Sequence, residues 1–281
     1  MESPRVISPR TRRRCASVEA MLLPARPPRA RAAARHVWLP RQHGAWAMLL
    51  LPLLLGVAAS RPDPWQLVLL GAALAGYLES ATVQAWSKAR RAPEYPAPAL
   101  AYGMSFAVLG LALVVVFPAL LIALVIAIPA ALVVVRGAQP GTRRDLANSL
   151  AQVAQALVLV PSAAWVSGAF EAGRVAVFLA VAAAYLVGTV LVVRSVLRER
   201  GNDAFAAVSV GFHAALIIPA LVFLPAAYAV LATALAGRAA SLPLLQRRWA
   251  AGGRPLRPIH VGLVEIAASL GVIVTAFAVP I

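Results

Sequence analysis

The chain has 281 residues, 61% of them hydrophobic and only 13% charged, and its mean hydropathy is +0.81. A soluble domain is roughly half apolar, so this composition excludes one and indicates an all-α polytopic membrane protein. The formal charge of +16 does not point to nucleic acid, because the basic residues lie in short clusters between apolar runs, and the single Cys15 excludes a disulfide framework or a thiolate metal site.

Residues 1–37 carry nine arginines up to Arg35, several prolines and no long apolar run, which predicts a disordered basic tail. Met21-Leu22-Leu23 is too short for the apolar region of a signal peptide. Residues 38–281 read as one transmembrane helical domain. A helix needs about 20 mostly apolar residues to cross the hydrocarbon. That length predicts nine spans, over 43–59, 65–86, 98–116, 119–135, 146–167, 173–194, 204–223, 226–245 and 259–280. Phe117-Pro118 and Leu224-Pro225 are the sole separators of two pairs of spans, and proline's missing donor suits each to a tight hairpin.

Charge supports this count. With the N-terminus in the cytoplasm, nine spans put every lysine and arginine except Arg61 and Arg174 on the cytoplasmic side. Merging either pair of spans would move later basic clusters to the wrong face. The positive-inside rule thus predicts a cytoplasmic N-terminus and an extracytoplasmic C-terminus in the plasma membrane.

Polar side chains inside spans are costly and should face the bundle interior. Asp145, Asn148, Gln152 and Gln155 recur at spacings of three, four and three, which lines them along one helical face. The stripe reaches roughly 15 Å from the cytoplasmic end at the rise of an α-helix; it suits interhelical hydrogen bonding and a ligand wall equally. Glu79, followed by Gln84, lies in the second span, and Glu265 lies above His260 in the ninth. A buried carboxylate must be protonated or find a cation, and Arg194, Arg238 and His43 are the cations available. Both carboxylates can form structural ion pairs, or the arginine forks can await a carboxylate or phosphate. His213, one turn beyond Ser209, reads as a hydrogen-bonded packing residue. Trp38, Trp46, Trp65, Trp86 and Trp249 suit interfacial anchoring.

No Walker loop, dinucleotide glycine turn, His-Glu-x-x-His or Gly-x-Ser-x-Gly is present. The sequence therefore offers no cofactor motif and no metal site.

Arg41-Gln42-His43-Gly44-Ala45-Trp46-Ala47-Met48 resembles the motif that opens the first span in the YwiC-like family of bacterial membrane proteins. Thr189 to Arg194 leading into Arg198-Glu199-Arg200, and Val261-Gly262-Leu263-Val264-Glu265, are similar to later blocks of that family. The resemblance runs from about Trp38 to the C-terminus. It implies a multi-pass bacterial membrane protein of uncharacterised activity and carries over no catalytic residues. A more distant likeness to UbiA-type intramembrane prenyltransferases implies a cytoplasm-facing cavity. Those enzymes hold diphosphate through Mg²⁺ on two Asp-rich motifs, where this chain has Glu79 with Gln84 and Glu199 with Asp203. Mg²⁺ is thus expected only on that prenyltransferase-like reading.

These residues predict a cytoplasm-facing polar cavity for a small or amphiphilic anionic ligand, with membrane lipids as the other partner. Arg41, His43, Asn148, Gln152, Gln155, Arg194 and Arg238 are the ligand-binding candidates; Glu79, Glu265 and His43 are the candidates for acid–base catalysis. Two alternatives use the same residues: a proton-coupled transporter, or a scaffold or assembly factor in which they only pack helices.

Overall fold

The computed structural model describes residue 38 and residues 45–89, 92–137 and 146–281. Arg41, His43 and Asp145 lie outside the described residues. The chain divides into two units, 1–39 and 40–281, and the helices below belong to the second.

Nine helices follow one another among the described residues. They are α1 (Ala45–Ala59), α2 (Trp65–Lys88), α3 (Pro96–Val116), α4 (Leu120–Arg136) and α5 (Leu146–Val166), then α6 (Ala172–Leu197), α7 (Asp203–Phe223), α8 (Ala226–Ala251) and α9 (Pro258–Ala278). All but α1 and α4 are long and apolar enough to cross a membrane. Both predicted hairpins are present. Phe117 and Leu224, each preceding a proline, leave the helical region and end α3 and α7, Leu224 with fully extended backbone angles. Pro161 and Pro219 act more gently. Each lacks the N–H that would bond four residues back, so the ladder lapses at Val158 in α5 and at Leu216 in α7. Val158 and Leu216 keep helical φ and ψ, so each helix continues.

The first helix is the hub. Leu51 and Leu55 of α1 are fully buried in a cluster with Val160 of α5, Phe178, Ala182 and Leu186 of α6, and Val272 of α9. Gly56 permits this closeness: a Cβ there would lie 2.6 Å from the Val160 carbonyl oxygen and 2.7 Å from the Ala163 Cβ. By contrast, α3 packs chiefly along α2, and α4 chiefly on α5. Leu100, Val108, Leu111 and Val115 of α3 and Ile122 and Val125 of α4 are exposed. A continuous apolar surface of this kind suits lipid, since soluble monomers seldom show one.

The two ends of the bundle differ. At one end Trp65 meets Phe117 edge to face, Arg61 Nε donates to the Ser167 carbonyl, and Arg174 Nη2 donates to the Ala58 carbonyl. At the other, basic end, Arg200 Nε donates to the Val196 carbonyl, Arg194 pairs with Glu199, and Arg247 pairs with Asp203. Gln246 ties the α8–α9 loop down there by accepting from the Leu256 N–H at 2.7 Å.

Candidate functional site

Four helices bring polar side chains together at one buried point. From α6 come Tyr185 and Thr189, from α7 Ser209 and His213, from α8 Arg238, and from α9 Glu265 and Ser269. Ser209, His213, Arg238, Glu265 and Ser269 are all buried. Counting helical rise from the basic end, the cluster lies roughly 10 to 20 Å into the bundle. Three of these helices present their residues one turn apart, as Tyr185 and Thr189, Ser209 and His213, and Glu265 and Ser269, so each pair shares a face.

At the centre Arg238 Nη1 donates to Glu265 Oε2 at 2.7 Å. Thr189 Oγ1 donates to the same oxygen at 3.0 Å. The Arg238 guanidinium also lies 5.8 Å from the centroid of the Tyr185 ring, within reach of a cation–π contact. His213 Nδ1 lies 2.7 Å from the Ser209 carbonyl oxygen. A carbonyl only accepts, so Nδ1 carries the proton; the neutral ring then turns its Nε2 lone pair to Arg238 Nη2, 3.4 Å away. Gly188 makes room for this ring, since a Cβ there would lie 2.7 Å from Nε2. Ser269 Oγ donates to the Glu265 main-chain carbonyl, and Tyr185 OH lies 2.8 Å from Ser269 Oγ.

The cluster is not self-sufficient. Glu265 Oε1, Arg238 Nε and Ser209 Oγ are buried without a hydrogen-bond partner among the described residues. Leaving such a group unsatisfied costs about 1–3 kcal/mol, more when it is charged. All bonding to the carboxylate is concentrated on Oε2, so Glu265 holds Arg238 by a single oxygen instead of the bidentate fork that is the stronger geometry.

The other residues singled out in the sequence go elsewhere. Arg194 pairs with Glu199 at 3.2 Å and lies 6.0 Å from the Phe205 ring centroid, near the basic end. Glu79 lies on α2 against Gly103 of α3, where a Cβ would be 3.2 Å from its Oε1. Gln84 donates to Ser80 on the same helix. Asn148 is buried on α5 against Gly137, which closes α4; Gln152 and Gln155 are half-buried on α5. Arg238 and Glu265, two of the predicted set, thus meet, and His213, read from the sequence as a packing residue, is their third partner.

A Mg²⁺–diphosphate site needs clustered carboxylates. Glu199 is engaged by Arg194 and Asp203 by Arg247, and among the described residues no three His, Cys, Asp or Glu gather. This donor set does not fit that ion.

The α7–α8 surface carries a shallow, open apolar groove, lined by Ile217 and Leu221 of α7 and by Ala226, Ala229, Val230, Thr233 and Ala234 of α8. Ile217 and Leu221 lie one and two turns beyond His213, and Ala234 and Val230 one and two turns before Arg238. Leu221 and Val230, 63% and 70% exposed, turn to the outer surface, whereas His213 and Arg238 on the same two helices are buried.

The YwiC-like protein family matches residues 39–164. A relative from Bacillus subtilis (strain 168), described as "Uncharacterized protein YwiC", is 31% identical over 231 residues, covering 81% of this chain and 92% of its own length. No solved structure matches the chain.

Proposed function

The chain belongs to the YwiC-like family, and from that premise we propose that it is a plasma-membrane protein that binds the head group of an anionic amphiphile between α6, α7, α8 and α9. The observation that carries this reading is the buried Arg238, held by one oxygen of Glu265 while its Nε and the carboxylate's Oε1 lack partners among the described residues. A guanidinium is the side chain best shaped to grip a carboxylate, phosphate or sulfonate. The apolar surface of α7 and α8 supports an amphiphile over a freely soluble anion: Ile217, Leu221 and Val230 line a shallow groove on the two helices that carry His213 and Arg238. Ligand sites in bundles commonly combine such an apolar wall with a few convergent polar groups.

In this reading the basic end faces the cytoplasm, the C-terminus lies outside, and the head group sits in the cytoplasmic half of the membrane. A cysteine at position 61, introduced as Arg61→Cys in a Cys15→Ser background, should label from outside intact cells; labelling from the cytoplasm alone would refute the orientation.

The binding test is native mass spectrometry of the purified protein beside an Arg238→Met/Glu265→Leu variant. Replacing a buried ion pair by apolar residues of similar volume is often neutral or stabilising, so the variant should fold. It should lose an anionic amphiphile that the wild type retains. Equal retention by both proteins, or no anionic amphiphile on the wild type, would refute the proposal.

A further inference from the structure

Arg238 already has an anion, the carboxylate of Glu265 at 2.7 Å. An incoming anion of like charge cannot simply join it. Two carboxylate-type groups on one buried guanidinium would leave a net negative charge in the bundle interior, and a buried charge without a partner is strongly disfavoured. We propose that Glu265 is a proton-operated lock on this site: in the ligand-free state its carboxylate occupies Arg238, and an anionic ligand takes its place as the carboxyl binds one proton. This rests on the anion-site reading above and adds proton linkage to it.

The local geometry is suited to such an exchange. Thr189 and Arg238 both bond Oε2, while Oε1 has no partner among the described residues. When Arg238 turns to the ligand, Thr189 can still serve the carboxyl group, because a hydroxyl both donates and accepts. Charge balances through the step. Before it, one guanidinium cation faces one carboxylate anion; after it, the same cation faces the ligand's anion and Glu265 is neutral. One proton is taken up for each unit of negative charge bound.

The groups that face Glu265 leave few other places for this proton. From α6 come Tyr185 and Thr189, from α7 His213, and from α8 Arg238. Arg194, further along α6, is engaged with Glu199. Neither α1, which packs on α9, nor α5, which packs on α6, has a titratable residue in Ala45–Ala59 or Leu146–Val166. His213 is the competing acceptor, since its Nε2 lone pair faces the guanidinium.

Decanesulfonate is a suitable probe, because its head stays ionised throughout the working range and so contributes no protons of its own. The full-length protein in phosphatidylcholine nanodiscs is titrated with it by calorimetry in buffers of different ionisation enthalpy, from pH 5.5 to 8.5. The wild type should take up close to one proton per sulfonate bound, and its affinity should fall about tenfold per pH unit wherever the ligand-free carboxyl is ionised. Glu265→Gln should bind with no proton uptake and a flat pH profile. Sulfonate binding by the wild type without proton uptake overturns the lock and leaves the anion site standing. Absence of sulfonate binding at every pH overturns the anion site and the lock with it. Should Glu265→Gln prove unstable, the wild-type proton count decides alone. A pH slope that survives in Glu265→Gln but vanishes in His213→Gln would move the proton to the imidazole and overturn the assignment to Glu265.

Discussion

At Gly56, α1 lies so close to α5 that no Cβ fits between the two backbones; at Arg238, α8 meets α6, α7 and α9 through a buried ion pair, an imidazole and three hydroxyl-bearing side chains. The first crossing is the ordinary membrane solution, a small residue that lets backbones approach where lipid supplies no hydrophobic drive between helices. The second is expensive in the same medium, because two charges are desolvated and the pair is worth no more than a well-fitted apolar contact. Helices α6 to α9 could be joined as α1 and α5 are joined. A charged pair in such a medium is the place to test the proposed binding, whereas the Gly56 crossing serves close packing.

The largest predicted effect comes from breaking the polar crossing on one side only. Arg238→Ala leaves Glu265 buried without its cation, and Glu265→Ala leaves the reverse; each should cost about 3–5 kcal/mol. Thermal unfolding in detergent, followed by loss of helical circular dichroism, should show either variant strongly destabilised. A loss below about 1 kcal/mol would mean that the ion pair is already open to water.

The apolar crossing should respond next. In Gly56→Ala the new methyl meets a carbonyl oxygen and a Cβ, neither of which can swing aside. Overpacking of this kind costs about 1–3 kcal/mol. The same thermal assay should report it, while binding of an anionic amphiphile to the folded fraction should be unchanged. Loss of binding in Gly56→Ala would show that the two crossings are one mechanical unit.

Smaller still is the effect on stability of replacing both charges together. Arg238→Met/Glu265→Leu should lie within about 1 kcal/mol of the wild type, on either side, because the desolvation cost goes with the attraction. Comparing it with the two single alanine variants in a mutant cycle measures the coupling directly. A double variant as unstable as the singles would make the pair a structural requirement and remove the reason to assign it another role.

The apolar runs were long enough to reveal the nine helices among the described residues, and the prolines at 118 and 225 marked two of the breaks because each disfavours helical backbone on the residue before it. Partnership between helices was much less legible. Glu79 and Glu265 looked equivalent in sequence, as carboxylates in apolar spans, yet α2 packs chiefly along α3 while α9 closes on α6 and α8. Side-chain periodicity gives the face of a helix and not its neighbour. Tyr185, Thr189 and Ser269 carried no warning individually, being mild polar residues about 80 positions from their partners. The available signal was the i, i+4 recurrence of polar pairs on three apolar helices, α6, α7 and α9. His213 and Ser209 formed such a pair; the seat of the His213 ring depends on Gly188, which nothing in the sequence set apart.

A comparably small effect is expected at the two arginines that the charge pattern left on the opposite end. Arg61 Nε donates to the carbonyl of Ser167, the residue that follows α5, at 3.2 Å, and Arg174 Nη2 donates to that of Ala58, in the last turn of α1, at 3.0 Å. Both carbonyls belong to helix C-termini, where the backbone lacks its own donors and the helix dipole favours a cation. These arginines therefore do local capping, which accounts for their presence away from the basic end without weakening the orientation argument. Arg61→Ala and Arg174→Ala should each lower stability by only about 0.5–1.5 kcal/mol. Their combination should leave the labelling side of a cysteine placed near the C-terminus unchanged. Inversion of that labelling would show instead that Arg61 and Arg174 help set the topology, and the assignment of the basic end to the cytoplasm would have to be reversed.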